Sequence, residues 1–217
     1  MRKRRTASSA LLCMHSGGMN GAPLMRTAKL KRRTKETTIG VELNLDGAGT
    51  HEISTTIKFF DHMLATFARH GFFDLVVKAE GDLTHHIIED VGIVLGQAFR
   101  KALGAPESAA RAQTVRFGAA TVPMDESIAH VAVDIGGIGG LGRGITVFEA
   151  EFAQERVEDL STENVPHFIK SFATHACFTI HVTAEGENEH HKIEAIFKAL
   201  ALALDRATRF EERRKPT

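Results

Sequence analysis

The sequence is short of cysteine, of net charge and of long apolar runs, and each shortage removes a class of explanation. Only Cys13 and Cys177 occur in 217 residues. That gives no disulfide framework and makes a reducing compartment, the cytoplasm, the expected location. Lys plus Arg and Asp plus Glu both number 27, so no strong field recruits nucleic acid or an anionic membrane. Any phosphate on a ligand must be met by local side chains. No apolar run reaches the ~18 residues that a membrane span needs. The His-Glu-x-x-His helix of a zinc protease, the phosphate-binding P-loop and the Gly-x-Ser-x-Gly elbow are also missing. The glycine-rich stretch Gly136 to Gly144 follows a strand without opening a helix, so it reads as a flexible connection.

Acidic residues are absent before Glu36, and the chain begins Met-Arg-Lys-Arg-Arg. Residues 1–32 are expected to be a basic extension without fixed structure, with a transit segment as the alternative. Leu11 to Met14 is too short an apolar stretch for a secretory signal. Residues 213–217 read as a short tail. Cys177 precedes an apolar run and reads as a small buried hydrophobe.

What the sequence has in plenty is histidine, and it comes in a repeat. His85-His86-x-x-Glu89 recurs as His190-His191-x-x-Glu194, and residues 62–102 match 167–207 without a gap. His62 falls on His167, Phe67 on Phe172, His70 on His175, Phe73 on Phe178, Gly81 on Gly186, Leu95 on Leu200 and Ala102 on Ala207. The chain is an internal duplication, with halves at 33–108 and 109–212 sharing one core.

Periodicity supplies the elements. Ile39, Val41, Leu43 and Leu45 alternate with Gly40, Glu42 and Asn44, a half-buried strand ending at the Asp46-Gly47 turn signal. A second strand is expected over 51–57, a helix over Phe59 to His70 and a strand at Leu75-Val76-Val77. A helix from His85 carries Ile88, Val91, Leu95, Phe99 and Ala102 at spacings of three and four, and stops at Gly104-Ala105-Pro106. The second half is read as strands at 114–122, 128–135 and 145–152, a helix at 163–175, a strand at 177–183 and a last helix carrying Ile193, Ile196, Phe197, Leu200 and Leu204. The fold class is therefore α+β, two β-β-α-β-α halves with the helices packed between two sheets or between sheet and partner subunit.

Residues four apart on a helix share a face, so His85 with Glu89, and His190 with Glu194, can each chelate one ion. His86 and His191 point about 100° away and are free to reach a second ion, which suggests that each half lends an imidazole to the other half's site. Imidazole plus carboxylate without thiolate suits manganese, iron, cobalt, nickel or zinc, and an octahedral ion would keep positions open for substrate. A lone His-His pair at a helix start is usually a surface feature. Two pairs, each with a Glu and an upstream His at matching offsets, point to two metal sites. His70 and His175 each close a helix, where a cationic side chain suits the dipole.

These residues resemble the imidazoleglycerol-phosphate dehydratase family of histidine biosynthesis. The resemblance runs from about Arg33 to Ala207. It rests on Thr34-Lys35-Glu36-Thr37, Asn44-Leu45-Asp46-Gly47, Phe60-Asp61-His62-Met63-Leu64, His85-His86-Ile87-Ile88-Glu89-Asp90, Arg116-Phe117-Gly118, Pro123-Met124-Asp125-Glu126, His167-Phe168 and Gly186-Glu187-Asn188-Glu189-His190-His191. It implies a homo-oligomer of about 24 subunits built from trimers and two Mn ions per chain, a figure in line with the two repeated ligand sets. By position, one ion is expected on His62, His85, Glu89 and His191, and the other on His86, His167, His190 and Glu194. The substrate, a small phosphorylated imidazole, would meet Glu36, His62, His70, His85, His86, Glu89, His190, His191, Arg116, Arg143 and Lys198, the two arginines and the lysine suited to a phosphate. Three departures stand out: Ala65-Thr66 where many members have Asp-Gln, a shorter segment ahead of His85, and no C-terminal Ser-x-Lys-Gly string.

The implied reaction is loss of water from D-erythro-imidazoleglycerol phosphate to give imidazole-acetol phosphate. Metal bound to the substrate's ring would acidify it and help expel hydroxide. Glu36 is the expected general acid/base, with Asp125 and Glu126 in reserve. A non-catalytic metal-binding or storage assembly, and metal-assisted hydrolysis, are the competing classes.

Overall fold

The computed structural model describes residues 25–105, 108, 113–136, 143–211 and 213. Most of the basic extension, the glycine loop at 137–142 and the end of the tail lie outside these. Among these residues ten strands and four helices follow in order: β1 Thr27–Arg33, β2 Thr37–Asn44, β3 His51–Ser54, α1 Lys58–Gly71, β4 Asp74–Gly81, α2 Thr84–Ala102, β5 Phe117–Met124, β6 Ser127–Asp134, β7 Ile145–Glu149, β8 Arg156–Val157, β9 Leu160–Ser161, α3 Asn164–Ala176, β10 Thr179–Glu185 and α4 Glu189–Thr208.

Each half makes one four-stranded sheet, β1-β2-β4-β3 and β5-β6-β10-β7. In both, the inner strands are antiparallel and the last strand, β3 or β7, joins in parallel. Helices α1 and α2 lie on the first sheet, α3 and α4 on the second, and the two helical layers meet: α2 packs against α3, and α1 against α4. The expected α+β duplication with helices between two sheets is therefore the fold, and its core is the helical interior. Phe60, Phe99, Phe168, Phe172, Phe178 and Phe197 are all buried there. Phe99 meets Phe172 edge-on at 5.3 Å between ring centroids, and Phe168 stacks on Phe197 at 5.5 Å. Emptying one such position costs ~3–5 kcal/mol, because a rigid core cannot fully collapse into the gap.

The α2–α3 approach needs glycine. A Cβ on Gly92 would lie 2.9 Å from the Phe168 carbonyl oxygen, and one on Gly96 only 2.5 Å from that of Phe172.

Strand β1 corrects the reading of residues 1–32 as an extension, because Thr27 to Arg32 are part of the sheet. The strand escapes a pattern search since it lies at the sheet edge, where Lys and Arg can face water. It is held through Arg32 Nε to Asp90 Oδ1 at 3.0 Å and Lys29 to Glu42 at 2.5 Å. The short hairpin β8–β9 was likewise unforeseen. Residues 137–142 spell Gly-x-Gly-x-x-Gly. The next element among the described residues is strand β7, which offers no helix N-terminus to receive a phosphate.

Candidate metal centre

Helices α2 and α4 each start where a hairpin turn closes, next to the end of β4 or β10, so the two His-His pairs emerge in matching places. Asn188 caps α4, its Oδ1 accepting from the backbone N–H of His190 at 2.9 Å and of His191 at 3.3 Å. In α2 the matching residue is Leu83, which offers no side-chain cap.

Packing between halves then assembles two triads. His62 on α1 lies with His190 and Glu194 on α4, and His167 on α3 lies with His85 and Glu89 on α2. In the first, Glu194 Oε2 is 3.3 Å from both His62 Nε2 and His190 Nε2, while Oε1 accepts from Lys198 Nζ at 2.9 Å. In the second, Glu89 Oε2 is 3.6 Å from His167 Nε2 and 3.9 Å from His85 Nε2, and the two rings lie 4.4 Å apart.

The fourfold sets implied by the family resemblance are thus regrouped. His62 sits with His190 and Glu194 rather than with His85 and Glu89, and His167 sits with the latter pair. The reason is the helix packing: α1 lies on α4 and α2 on α3, so it is the upstream His that crosses between halves. His86 and His191 do not reach the opposite triad within the chain. His86 Nδ1 pairs with Asp82 Oδ1 at 2.8 Å, and His191 Nδ1 with Glu126 Oε2 at 3.0 Å and Asp125 Oδ2 at 3.7 Å. The carboxylate partners raise both imidazole pKa values above the ordinary one.

Glu36 and Glu126 occupy matching hairpin turns, β1–β2 and β5–β6, each beside the second His of a pair. The two carboxylates differ in what they touch. Glu126 accepts from His191, from the backbone N–H of Asn188 at 2.8 Å and from Ser127 Oγ at 2.8 Å. These bonds, the His191 one foremost, hold its pKa down to about 2. Glu36 is exposed, and its backbone rather than its carboxylate makes the local bonds: its N–H donates to Thr34 Oγ1 at 3.1 Å and its C=O accepts from Asp82 N–H at 3.0 Å.

His70 ends α1 near the first triad, its pKa lowered first by burial and then by the charges of Lys198 and Arg69. In Glu194, burial pushes the carboxyl up, but Lys198 and then His62 outweigh it and leave the group below the usual range. Arg116 lies elsewhere. It precedes β5 at the end opposite Glu126, ~24 Å away along an eight-residue strand, and makes paired bonds to Asp134 at 2.8 and 2.9 Å. Arg143 is exposed ahead of β7, at that same far end of the sheet.

The donor chemistry fits divalent metal. Each triad offers two imidazole nitrogens and a carboxylate oxygen, all within 4.8 Å of one another. His167 Nε2 is buried with no hydrogen-bond partner, an arrangement that is costly unless the lone pair has another use. Asn164 Oδ1 holds His85 Nδ1 at 2.9 Å, leaving Nε2 to face Glu89. Asp125, Glu126 and His191 form a third, more exposed cluster.

The family model for imidazoleglycerol-phosphate dehydratase matches residues 55–204. The chain belongs to that family. Imidazoleglycerol-phosphate dehydratase of Methanosarcina barkeri is 52% identical over 190 residues, covering 86% of this chain and 94% of the relative. The Thermoanaerobacter pseudethanolicus enzyme is 51% identical over 193 residues, covering 87% and 94%. Among solved structures, the Staphylococcus aureus dehydratase superposes with a TM-score of 0.74 at 33% identity over 85% of this chain and 99% of its own. That of Pyrococcus furiosus, in complex with (S)-C348, gives 0.69 at 35% identity over 85% and 96%. Family membership places the chain among the dehydratases, which are lyases, of histidine biosynthesis. No helix among the described residues is long and apolar enough to cross a membrane.

Proposed function

We propose that this chain dehydrates D-erythro-imidazoleglycerol phosphate to imidazole-acetol phosphate in the cytoplasm, using two Mn ions per chain. The observation that carries the reading is the pair of cross-half triads, one of them holding the buried His167 Nε2, which has no hydrogen-bond partner among the described residues. His62, His190 and Glu194 would hold one ion, and His85, Glu89 and His167 the other. When bound, the ions supply Lewis acidity that stabilises negative charge on the substrate's imidazole ring.

The protein's own groups do the rest. Glu36, exposed beside His86 and held by no side-chain hydrogen bond among the described residues, is placed to take the side-chain proton. Glu126 is tied to His191, Asn188 and Ser127 and stays ionised, which makes it a poor proton shuttle near neutral pH. Lys198 pairs with Glu194 at the first triad, and Arg116 and Arg143 are the phosphate candidates.

Arg116 and Arg143 stand at the far end of their sheet from the triads, so one chain alone does not enclose the substrate. His86 and His191 also bond, through Nδ1, carboxylates that belong to neither triad. Both features favour a homo-oligomer, and the expected particle is 24 subunits built from trimers. The outer face of the second sheet suits such packing: Phe117, Ala119, Ala132, Val147 and Ile145 lie on it, with Phe117 56% and Ile145 42% exposed. No nucleic acid or membrane partner is proposed.

The test is an assay of the purified full chain with imidazoleglycerol phosphate and Mn, following the keto product. Product formation lost on chelation and restored by Mn supports the reading. Two bound ions with no product would leave a storage assembly instead.

A further inference from the structure

The halves differ most where the third strand of each sheet hands over to the next helix. Residues 55–57 join β3 to α1, whereas residues 150–163 join β7 to α3 and include the hairpin β8–β9. This insertion does not wander off into solvent. Val157 and Leu160 are buried in the core, Thr162 Oγ1 donates to the Gln154 carbonyl at 2.8 Å, and Arg156 donates to the Glu158 and Asp159 carbonyls at 3.1 and 3.2 Å. The hairpin is thus braced within itself and anchored from below.

Its tip touches the other half. Helix α1 begins after Ile57, a residue with no side chain able to cap it. The orphan donors of its first turn are met instead by Asp159, which accepts from the Lys58 N–H at 2.5 Å and the Phe59 N–H at 2.9 Å. A carboxylate there also suits the positive end of the helix. The root of the insertion is fixed to α4. Ala153 N–H donates to Glu189 Oε1 at 2.7 Å, and Lys192 Nζ donates to the Glu151 carbonyl at 2.8 Å. Glu189 and Lys192 pair at 2.9 Å, with side chains only 2% and 6% exposed.

The strap therefore ties the start of α1 to the start of α4. Those are the helices that bring His62 to His190 and Glu194, and Phe59, one of the two capped residues, meets the His190 ring edge-on at 4.8 Å. Among the described residues no such strap reaches the second triad, which relies on the close α2–α3 contact at Gly92 and Gly96 and on Asn164 Oδ1, 2.9 Å from His85 Nδ1.

Resting on the reading of the triads as metal sites, we infer that Asp159 is a positioning residue, a cap supplied in trans that sets the metal affinity of the His62–His190–Glu194 site and leaves that of the His85–Glu89–His167 site unchanged. Losing a cap or a group that orients a ligand typically weakens such a site about tenfold.

The experiment is a Mn titration of the full-length chain, read by the electron paramagnetic resonance of free Mn, on the wild type, D159A, D159E and D159N. His62→Ala and His167→Ala identify which ion belongs to which triad. Expected is about tenfold weaker binding of the His62-dependent ion in D159A, with partial losses in D159E, whose longer side chain displaces the carboxylate, and in D159N, whose single amide oxygen can accept from only one of the two N–H groups. Should D159A fail to fold, D159E carries the same comparison. Unchanged affinity in D159A or D159E, or equal weakening of both ions, would each overturn the inference while leaving the metal reading intact. A wild type that binds no Mn would defeat that reading, and the inference with it.

Discussion

The two triads descend from one ancestral set, yet they sit in different surroundings. Glu194 is buried, its side chain 11% exposed, and it carries a cation, Lys198. Glu89 is 41% exposed, and Ile93 stands in the place that Lys198 takes in the other half. The first triad is clamped by a strap and by a capped α4, the second by the close contact of two helices and by Asn164 on His85. Duplication kept the ligand types because coordination chemistry tolerates few alternatives. Everything that tunes those ligands was free to diverge, so the two sites are not interchangeable.

The strongest way to break this comparison is to delete one upstream His at a time. His62→Ala is expected to remove the ion of His190 and Glu194, and His167→Ala that of His85 and Glu89, each lowering turnover by at least about a thousandfold, the scale of several kcal/mol of lost charge stabilisation. Metal analysis beside the product assay checks it. If His62→Ala were rescued by the second half's ligands and cost the ion on Glu89 instead, the pairing described here would be wrong.

A finer comparison sets the two matching turns against each other. Glu36→Gln should lower kcat about a hundredfold with metal content intact, as expected for a positioned acid/base. Glu126→Gln should leave kcat within about tenfold of normal and act instead on how His191 is held. Equal losses in kcat would return Glu126 to the catalytic role.

Smaller still is the effect expected at the sheet's far end. Arg116 holds the Asp134 carboxyl below the usual carboxylate range, against the opposing pull of burial. A depressed folded pKa stabilises the protein above the unfolded value, near 3.8, and that contribution disappears as pH falls through the folded one. Arg116→Met should therefore be less stable than the parent at pH 7, with the gap closing as the solution is acidified below that range. Urea melts at several pH values read this directly; a gap that widens on acidification would rule out the pair as its source.

The least costly test concerns the helices alone. Gly92→Ala should destabilise by ~1–3 kcal/mol through overpacking against the Phe168 carbonyl, whereas Ala201→Gly in α4 should cost only about 1 kcal/mol of helix propensity. Chemical denaturation of both variants settles the order.

Much of this was legible in the chain itself. The amphipathic spacing of Ile88, Val91, Leu95 and Phe99, and of Ile193, Ile196, Phe197 and Leu200, marks the two long helices, and the repeated His-His-x-x-Glu string marks the ligands on them. Which ligand meets which was not legible. Register along a sequence says that His62 and His167 are equivalent, but only packing says that α1 lies on α4. Strand β1 hid behind its Lys and Arg, since an edge strand with one wet face looks like a basic tail. The kinship of Glu36 and Glu126 hid because insertions shift the register ahead of the matched segment, and little but the Glu itself is shared between Thr34-Lys35-Glu36-Thr37 and Met124-Asp125-Glu126-Ser127.

Gly92 and Gly96 also have a bearing on history. Their counterparts in the second half are Phe197 and Ala201. A chain assembled from two copies of the second half would drive a phenyl ring into the backbone of the facing helix, where even a single Cβ is already too close. A symmetric form built on the second half could not have had this interior.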